Sequence, residues 1–398
     1  MNFSEIKSTD YQNIMHTYKR FPIAIESGFE STAVDVNGKK YIDFTSGIGV
    51  NCLGYSNKKL NQALFNQASK VQHISNLYYN STQVKLAKKI CDISGFSKVF
   101  LCNSGAEANE AAIKLARKYS SDKYLTENRS EIVTLLDSFH GRTITTLAGT
   151  GQDKLHKHFK PFTEGFKYAI PNDIKSVLNT INDKTCAVMI ELIQGEGGVK
   201  PLDKNFVKNL ALECKKQDIL LIVDEVQTGI SRTGTFFCFE QFDINPDIVT
   251  TAKGLGGGFP IGACLCNDML KDTLSLSTHG STFGGNPLAC AVALEVLNIV
   301  PEKNFLKNVI EMGNHFKNKL KLINGVSNVR GLGLMIGFEV NNISASDLAF
   351  NCVENGLLIL TAKDSIRFLP PLNISLSDIN KGLSIFENTL KNSIDRRI

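Results

Sequence analysis

Residues 219–229 read Ile-Leu-Leu-Ile-Val-Asp-Glu-Val-Gln-Thr-Gly. Five apolar residues without a break, ended by an acid, describe a strand covered on both faces that delivers a carboxylate, Asp224, to the edge of a sheet. A carboxylate in such a place needs a cationic partner, because burying it unpaired costs several kcal/mol. No second metal ligand lies near it in the sequence.

The same pattern repeats outward from this strand. Short apolar runs at Lys98–Cys102, Ile132–Leu136, Cys186–Ile190 and Ile248–Thr251 alternate with helical periodicity at Leu60–Val71, Gln83–Ile93, Ala106–Tyr119 and Asn205–Lys216. That alternation predicts an α/β chain, its mostly parallel sheet covered by helices on both faces. Ahead of it, residues 30–44 read as a hairpin turning at Asn37-Gly38. Beyond Asn286-Pro287 a helix (Leu288–Val300) leads to another pattern: a helix over 305–322, strands near Gly333–Val340 and Gly356–Leu360, and a final helix near 377–392. The expected division is an N-terminal segment (1–57) joining a small domain, a large domain (58–286), and a C-terminal small α+β domain (287–398).

A length of 398 residues fits one large domain with an accessory part, or two domains. Hydrophobic residues at 42% and charged residues at 21% are ordinary for a soluble globular protein. The net charge of +5 is spread along the chain, which argues against nucleic acid or an anionic membrane as partner. The first residues lack the basic-then-apolar pattern of a signal peptide, and no apolar run approaches the ~20 residues that span a bilayer. A cytoplasmic protein is therefore expected. Cys102, Cys186, Cys264, Cys266 and Cys290 lie among apolar or small residues, as buried free thiols of a reducing compartment do. Cys264-Leu-Cys266 has no second pair or nearby histidine to complete a zinc set, and HExxH is absent, so no metal is expected. His156 and His158, among lysines, read as a solvated face.

Four stretches carry chemistry at places where sheet ligands bind, past the carboxyl ends of strands. Asn103-Ser-Gly-Ala-Glu107 has the S-x-x-E spacing of a capping box, and a helix N-terminus opened this way binds phosphate through its free N–H groups. Alone, the signal favours a merely well-capped helix. The second is Asp224 itself. In the third, Asp247–Pro260, Lys253 ends an apolar run and precedes four glycines within five positions, the wrong order for a P-loop. A lysine in partly apolar surroundings suits Schiff-base chemistry; a surface lysine before a flexible loop is the alternative. The fourth, Ser138-Phe-His-Gly-Arg-Thr143, sets an aromatic ring and a fixed cation after a strand. Gly331-Leu-Gly333 precedes a strand-like run, so its glycines read as packing residues rather than a dinucleotide fingerprint.

Taken together, these motifs resemble the class III (ornithine-type) aminotransferases, which use pyridoxal phosphate. The resemblance covers nearly the whole chain. It rests on Tyr18–Pro22, Asn103–Glu107, Phe139-His-Gly-Arg142, Gln194-Gly-Glu-Gly-Gly198, Asp224–Gly229, Ala252–Gly258, His279–Pro287 and Ile366-Arg-Phe-Leu-Pro-Pro371. Relatives usually carry glycine where this chain has Ser231, from which only a local backbone effect is expected. The resemblance implies the type I fold of pyridoxal-phosphate-dependent transferases and a homodimer with shared sites. It implies that Lys253 carries the coenzyme covalently and then shuttles a proton, and that Asp224 pairs with the pyridine nitrogen. Phe139 and Val226 would flank the ring, with Gln227 at its phenolic oxygen and His140 also in the cofactor site. Ser104, Gly105 and Ala106 would hold the phosphate, with Thr282 reaching the phosphate of the neighbouring subunit. For substrate it implies Arg142, helped by Tyr18, on the distant carboxylate of an ω-amino donor, and Arg367 on the α-carboxylate of glutamate or 2-oxoglutarate. Glu196 would be the switch partner of Arg367, and Ser281 a further substrate contact. The implied donor is N2-acetylornithine; free ornithine, succinylornithine and 4-aminobutyrate are the alternatives.

Overall fold

The computed structural model describes residues 1–395. Strands β1 (Ile25–Phe29), β2 (Thr32–Asp35) and β3 (Lys40–Asp43) run antiparallel in sequence order. Asp35 closes the β2–β3 turn, its Oδ1 accepting from the backbone N–H of Asn37 (2.9 Å) and Lys39 (3.0 Å). The main sheet holds seven strands: β4 (Lys98–Cys102), β5 (Glu131–Leu135), β6 (Phe166–Ala169), β7 (Thr185–Ile190), β10 (Leu220–Asp224), β11 (Ile248–Thr251) and β12 (Gly262–Cys266). A small hairpin pairs β8 (Ile193–Gln194) with β9 (Lys200–Pro201). The last sheet contains β13 (Val326–Leu332), β14 (Met335–Val340), β16 (Leu360–Ala362) and β17 (Ser365–Phe368), while β15 (Leu357–Leu358) pairs in parallel with β3.

The main sheet is ordered β4-β12-β11-β10-β7-β5-β6. Neighbours from β11 to β6 run parallel, and β12 runs against both of its neighbours. All residues of β7, β10 and β11 are buried. Their unbroken apolar runs are thus explained by cover on both faces. The helices that cover them follow the expected periodicity: Lys58–Ala68, Ser81–Ser94, Gly105–Tyr124, Lys204–Lys216 and Pro287–Ile299. The last sheet is antiparallel, ordered β13-β14-β17-β16. It packs on helices Lys303–Leu320 and Leu376–Asp395 through an aromatic core. Phe338 meets Phe368 and Phe386 edge-on at 4.9 and 5.4 Å, and Phe44, just past β3, meets Phe316 at 5.0 Å.

Several elements depart from the sequence expectations. Helix Phe3–Asn13 was not anticipated; it buries none of its residues, so no apolar stripe marks it. Cys264-Leu-Cys266 lies in strand β12, which was not anticipated, with both thiols buried. Strands β6, β13 and β17 were also missed, being short or partly polar. His156 does not lie on a solvated face. Its Nε2 lies 2.9 Å from the Leu147 carbonyl and 2.8 Å from that of Thr150, and its ring packs on Phe162 and Tyr168. Gly331 and Gly333 sit at the β13–β14 turn, where an added Cβ on Gly333 would meet the Arg232 carbonyl at 2.6 Å. Among the described residues, no helix is long and apolar enough to cross a membrane.

Candidate active site

A cavity of about 410 Å³ opens at the carboxyl ends of the parallel strands. Five of the seven strands bring a part to it. After β4 come Asn103, Ser104, Gly105 and Ala106; after β5, Phe139, His140 and Arg142; after β7, Glu191; at the end of β10, Asp224, Val226 and Gln227; after β11, Lys253. This is the position an α/β sheet reserves for ligands, since strand ends and helix N-termini converge there.

The helix Gly105–Tyr124 brings its N-terminus to the cavity lining. Ser104 is its N-cap, its Oγ accepting from the Glu107 N–H at 3.2 Å. The expected reciprocal bond reaches one residue further back: Glu107 accepts from the backbone N–H (3.0 Å) and side-chain amide (2.8 Å) of Asn103. The first N–H groups of this helix have no intrahelical acceptor, and the helix dipole adds positive potential, so an anion is favoured there. Gly105 packs directly against Val226; a Cβ on it would lie 2.7 Å from Val226 Cγ1.

Asp224, also in the lining, is held by three groups. Its Oδ2 lies 2.7 Å from His140 Nδ1 and accepts from Asn109 Nδ2 at 2.8 Å, while its Oδ1 accepts from the Val226 N–H at 3.0 Å. Asn109 also donates to the His140 carbonyl at 2.7 Å. Burial alone would depress the His140 imidazole, but the bond to Asp224 and the charges of Asp224 and Glu191 outweigh it and hold the ring above its ordinary value. Glu191 accepts from the Phe139 N–H at 3.0 Å, and burial pushes its carboxyl up to about 7 against the opposing pull of His140.

Lys253 begins a short 3₁₀ turn with φ of +41°, a conformation non-glycine residues rarely adopt and one that concentrates at functional sites. Desolvation brings its amine down to about 8; Glu196 opposes that fall and Arg367 reinforces it. Arg367, on β17, is only 2% exposed. Its Nη1 donates to Glu196 Oε1 at 2.6 Å and to Gln227 Oε1 at 3.1 Å, and its buried Nε has no partner among the described residues. Burial would raise the Glu196 carboxyl, but the Arg367 guanidinium holds it below the ordinary carboxylate value.

Not every predicted site residue lies in this cavity. Ser281 and Thr282 line an adjoining cavity of about 380 Å³ that shares Asn103. The Asn103 Nδ2 donates to Ser281 Oγ at 3.2 Å across the boundary. Tyr18 is exposed and lies outside both linings, its ring 5.7 Å from Arg20. Arg142 lines the main cavity, its guanidinium carbon 5.6 Å from the Phe139 ring centroid. Sequence reading missed Asn109 and Glu191. Asn109 sits among alanines of a helix, and its meeting with Asp224, 115 positions away, leaves no trace in local spacing. Among the described residues, no group of three His, Cys, Asp or Glu side chains is placed to hold a metal ion.

The arrangement fits pyridoxal phosphate on three observations. The helix N-terminus open to an anion and the buried carboxylate of Asp224 line one cavity together with Lys253, groups that suit a phosphate and a protonated ring nitrogen. The buried Asn109 Oδ1 and His140 Nε2 lack partners beside that carboxylate. The amine of Lys253, lowered to about 8, has an appreciable neutral fraction able to attack an aldehyde.

A family model described as aminotransferase class-III matches residues 14–390. The chain is 47% identical to an acetylornithine aminotransferase of Haemophilus ducreyi over 392 residues, 98% of this chain and 99% of the relative. Among solved structures, it superposes on the ornithine aminotransferase of Toxoplasma gondii ME49 with a TM-score of 0.95 at 29% identity, covering 100% of this chain and 96% of the other. The N-acetylornithine aminotransferase of Stenotrophomonas maltophilia K279a gives 0.85 at 35% identity, covering 98% and 99%.

Proposed function

The chain belongs to the class-III aminotransferases, and on that premise we propose that it moves the ω-amino group of N2-acetylornithine to 2-oxoglutarate, in two alternating half-reactions, within arginine biosynthesis. The products are N-acetylglutamate 5-semialdehyde and glutamate. The coenzyme is pyridoxal phosphate; when bound, it supplies a reactive carbonyl carbon and a ring that withdraws electrons from the substrate carbon. Every other part belongs to the chain. Ser104 and the N–H groups of Gly105 and Ala106 hold the phosphate. Phe139 and Val226 would hold the ring, Gln227 would contact its phenolic oxygen, and Asp224, bonded to His140, would keep its nitrogen protonated. Lys253 would hold the coenzyme, and its Nζ would take and return the substrate proton.

The observation that carries the substrate reading is the Arg367–Glu196 pair, 2.6 Å long, beside Lys253. Glutamate has a carboxylate on its reacting carbon; an ω-amino donor does not. A buried guanidinium with a spare Nε can bind that carboxylate bidentately, and a carboxylate partner can neutralise it when the donor has none. Arg142, in the lining of the main cavity, takes the distant carboxylate, and Tyr18 is proposed as its helper by resemblance alone. Ser281 and Thr282 lie beside the main cavity rather than in it, which supports a site completed by a second subunit. In that homodimer Thr282 reaches the neighbour's phosphate. A cytoplasmic location accords with nine buried free cysteines among the ten.

Comparing kcat/KM for N-acetylornithine, free ornithine, succinylornithine and 4-aminobutyrate, each with 2-oxoglutarate, tests the reading. N-acetylornithine should lead by at least about tenfold. A preference for free ornithine would replace it with ornithine 5-aminotransferase, the alternative kept open by the close superposition on the Toxoplasma enzyme.

A further inference from the structure

We propose that Arg330, seated by Gly337, is a positioning residue that fixes the backbone of residues 195–199, so that Glu196 can shield Arg367 during the ω-amine half-reaction. The inference rests on the alternation of Glu196 and Arg367 proposed above, and goes on to name what holds the moving acid in reach.

Strand register supplies the first observation. Arg330 on β13 stands opposite Gly337 on β14, and Gly337 stands opposite Arg367 on β17. Residues directly opposite on neighbouring strands share a face of the sheet. The two arginines therefore flank a position that carries no side chain. The turn between β8 and β9 lies in that gap: a Cβ on Gly337 would meet Val199 Cβ at 2.6 Å and the Gly198 carbonyl at 3.1 Å. The turn carries Glu196.

Arg330 spends its guanidinium on this turn. Its Nε donates to the carbonyls of Gly198 (3.0 Å) and Val199 (3.1 Å), and its Nη2 donates to Gly198 again (2.6 Å) and to Ser365 Oγ (2.7 Å) on β17. Its Nη1 donates to the Asn328 carbonyl (2.9 Å) and to Glu339 (3.2 Å). Glu339 balances the charge, so Arg330 does not compete with Arg367 for Glu196 or for a substrate carboxylate. Val199 has φ of +52°, a region costly for a β-branched residue, which persists only where surroundings over-determine it. The bonds to the carbonyls on either side of its Cα are such a constraint. On the other side, Gln194 Nε2 ties the hairpin to the Leu136 carbonyl at 2.8 Å. The turn is thus pinned at both ends, and the Glu196 side chain, 32% exposed, is the part left to move.

The test is single-turnover kinetics of Arg330→Met with N-acetylornithine and with glutamate, beside hydrogen exchange of the amides of residues 195–199. The ω-amine half-reaction should slow by about tenfold while the glutamate half-reaction stays within about twofold, since only the former needs Arg367 covered. Exchange should quicken in residues 195–199 and not in β10 or β11. Gly337→Ala, which pushes on Val199 without removing a charge, should give the same selective loss and keeps the idea testable if Arg330→Met folds poorly. Equal slowing of both half-reactions, or unchanged exchange in the turn, would overturn the proposal. Glu196→Ala separates the two layers. If it slows both half-reactions alike, the alternation itself fails; if it is selective and Arg330→Met is not, only the role of Arg330 fails.

Discussion

Two carboxylates serve this site, and they are held in opposite ways. Asp224 ends a strand at the centre of the main sheet, 4% exposed, with both oxygens engaged by Asn109, His140 and the Val226 N–H. Glu196 rides on a turn between two sheets, half-buried, with one oxygen on Arg367 and a long contact of 3.5 Å to Gln227. An acid that stabilises the same charge in every turnover gains from preorganisation, because its partners need not reorganise at the moment of reaction. An acid that must be present for one substrate and absent for the next has to be attached by its backbone and left free at its tip. On the roles proposed above, Asp224 on its strand is an acid of the first kind and Glu196 on its hairpin one of the second.

The most severe way to break this contrast is Asp224→Ala. If the fixed acid acts in both directions, each half-reaction should fall on the order of 10³-fold in single-turnover measurements. The protein should still capture pyridoxal phosphate, because the phosphate site and Lys253 are intact. A loss confined to one substrate would make Asp224 behave as Glu196 is proposed to behave, and the distinction would collapse.

A milder change sharpens it. Asn109→Ala adds no bulk to the buried helix and removes the amide that bridges Asp224 Oδ2 and the His140 carbonyl. Hydrogen bonds to a charged group contribute about 1.5–3 kcal/mol, so both half-reactions should slow together by roughly ten- to a hundredfold. The coenzyme's absorption spectrum should shift as well, since the charge beside the ring nitrogen is less well held. A substrate-selective loss, or an unchanged spectrum, would count against Asn109 as part of the fixed acid's mounting.

What could be read from the sequence divides along the same line. Asp224 was legible because five apolar residues ahead of it require a buried strand, and a buried strand must end somewhere useful. Lys253 was legible in the same way, after Ile248–Thr251. Strand β12 was not, since Gly-Ala-Cys-Leu-Cys is small and unpatterned and draws the eye as a cysteine pair. Arg330 was hidden by its neighbours: the glycines at 331 and 333 raised the question of a nucleotide fingerprint, and nothing local says that a guanidinium will meet carbonyls 131 and 132 positions away. Asn109 was hidden by the regularity of its helix. Local pattern reports which strand is buried; it does not report which distant backbone a side chain will hold.

The smallest effect is expected at Ser231, in the turn that follows Asp224. The residue stands at φ of +67°, where relatives usually have glycine, so the backbone carries about 1–2 kcal/mol of strain that glycine would release. Against that, the buried Ser231 Oγ donates to the Val300 carbonyl at 2.7 Å, a bond of net value about 1 kcal/mol whose loss leaves the carbonyl short of a donor. The two terms oppose each other at similar size. Ser231→Gly should therefore change stability by no more than about 1 kcal/mol in denaturant unfolding, and neither half-reaction should move beyond about twofold. The hydroxyl ties the turn to the C-cap of helix Pro287–Ile299, and Ser231 is not among the residues that line the cavity. If the substitution slowed both half-reactions tenfold without changing stability, the mounting of Asp224 would extend through this turn, and the fixed acid would owe its rigidity to more than the three groups that touch it.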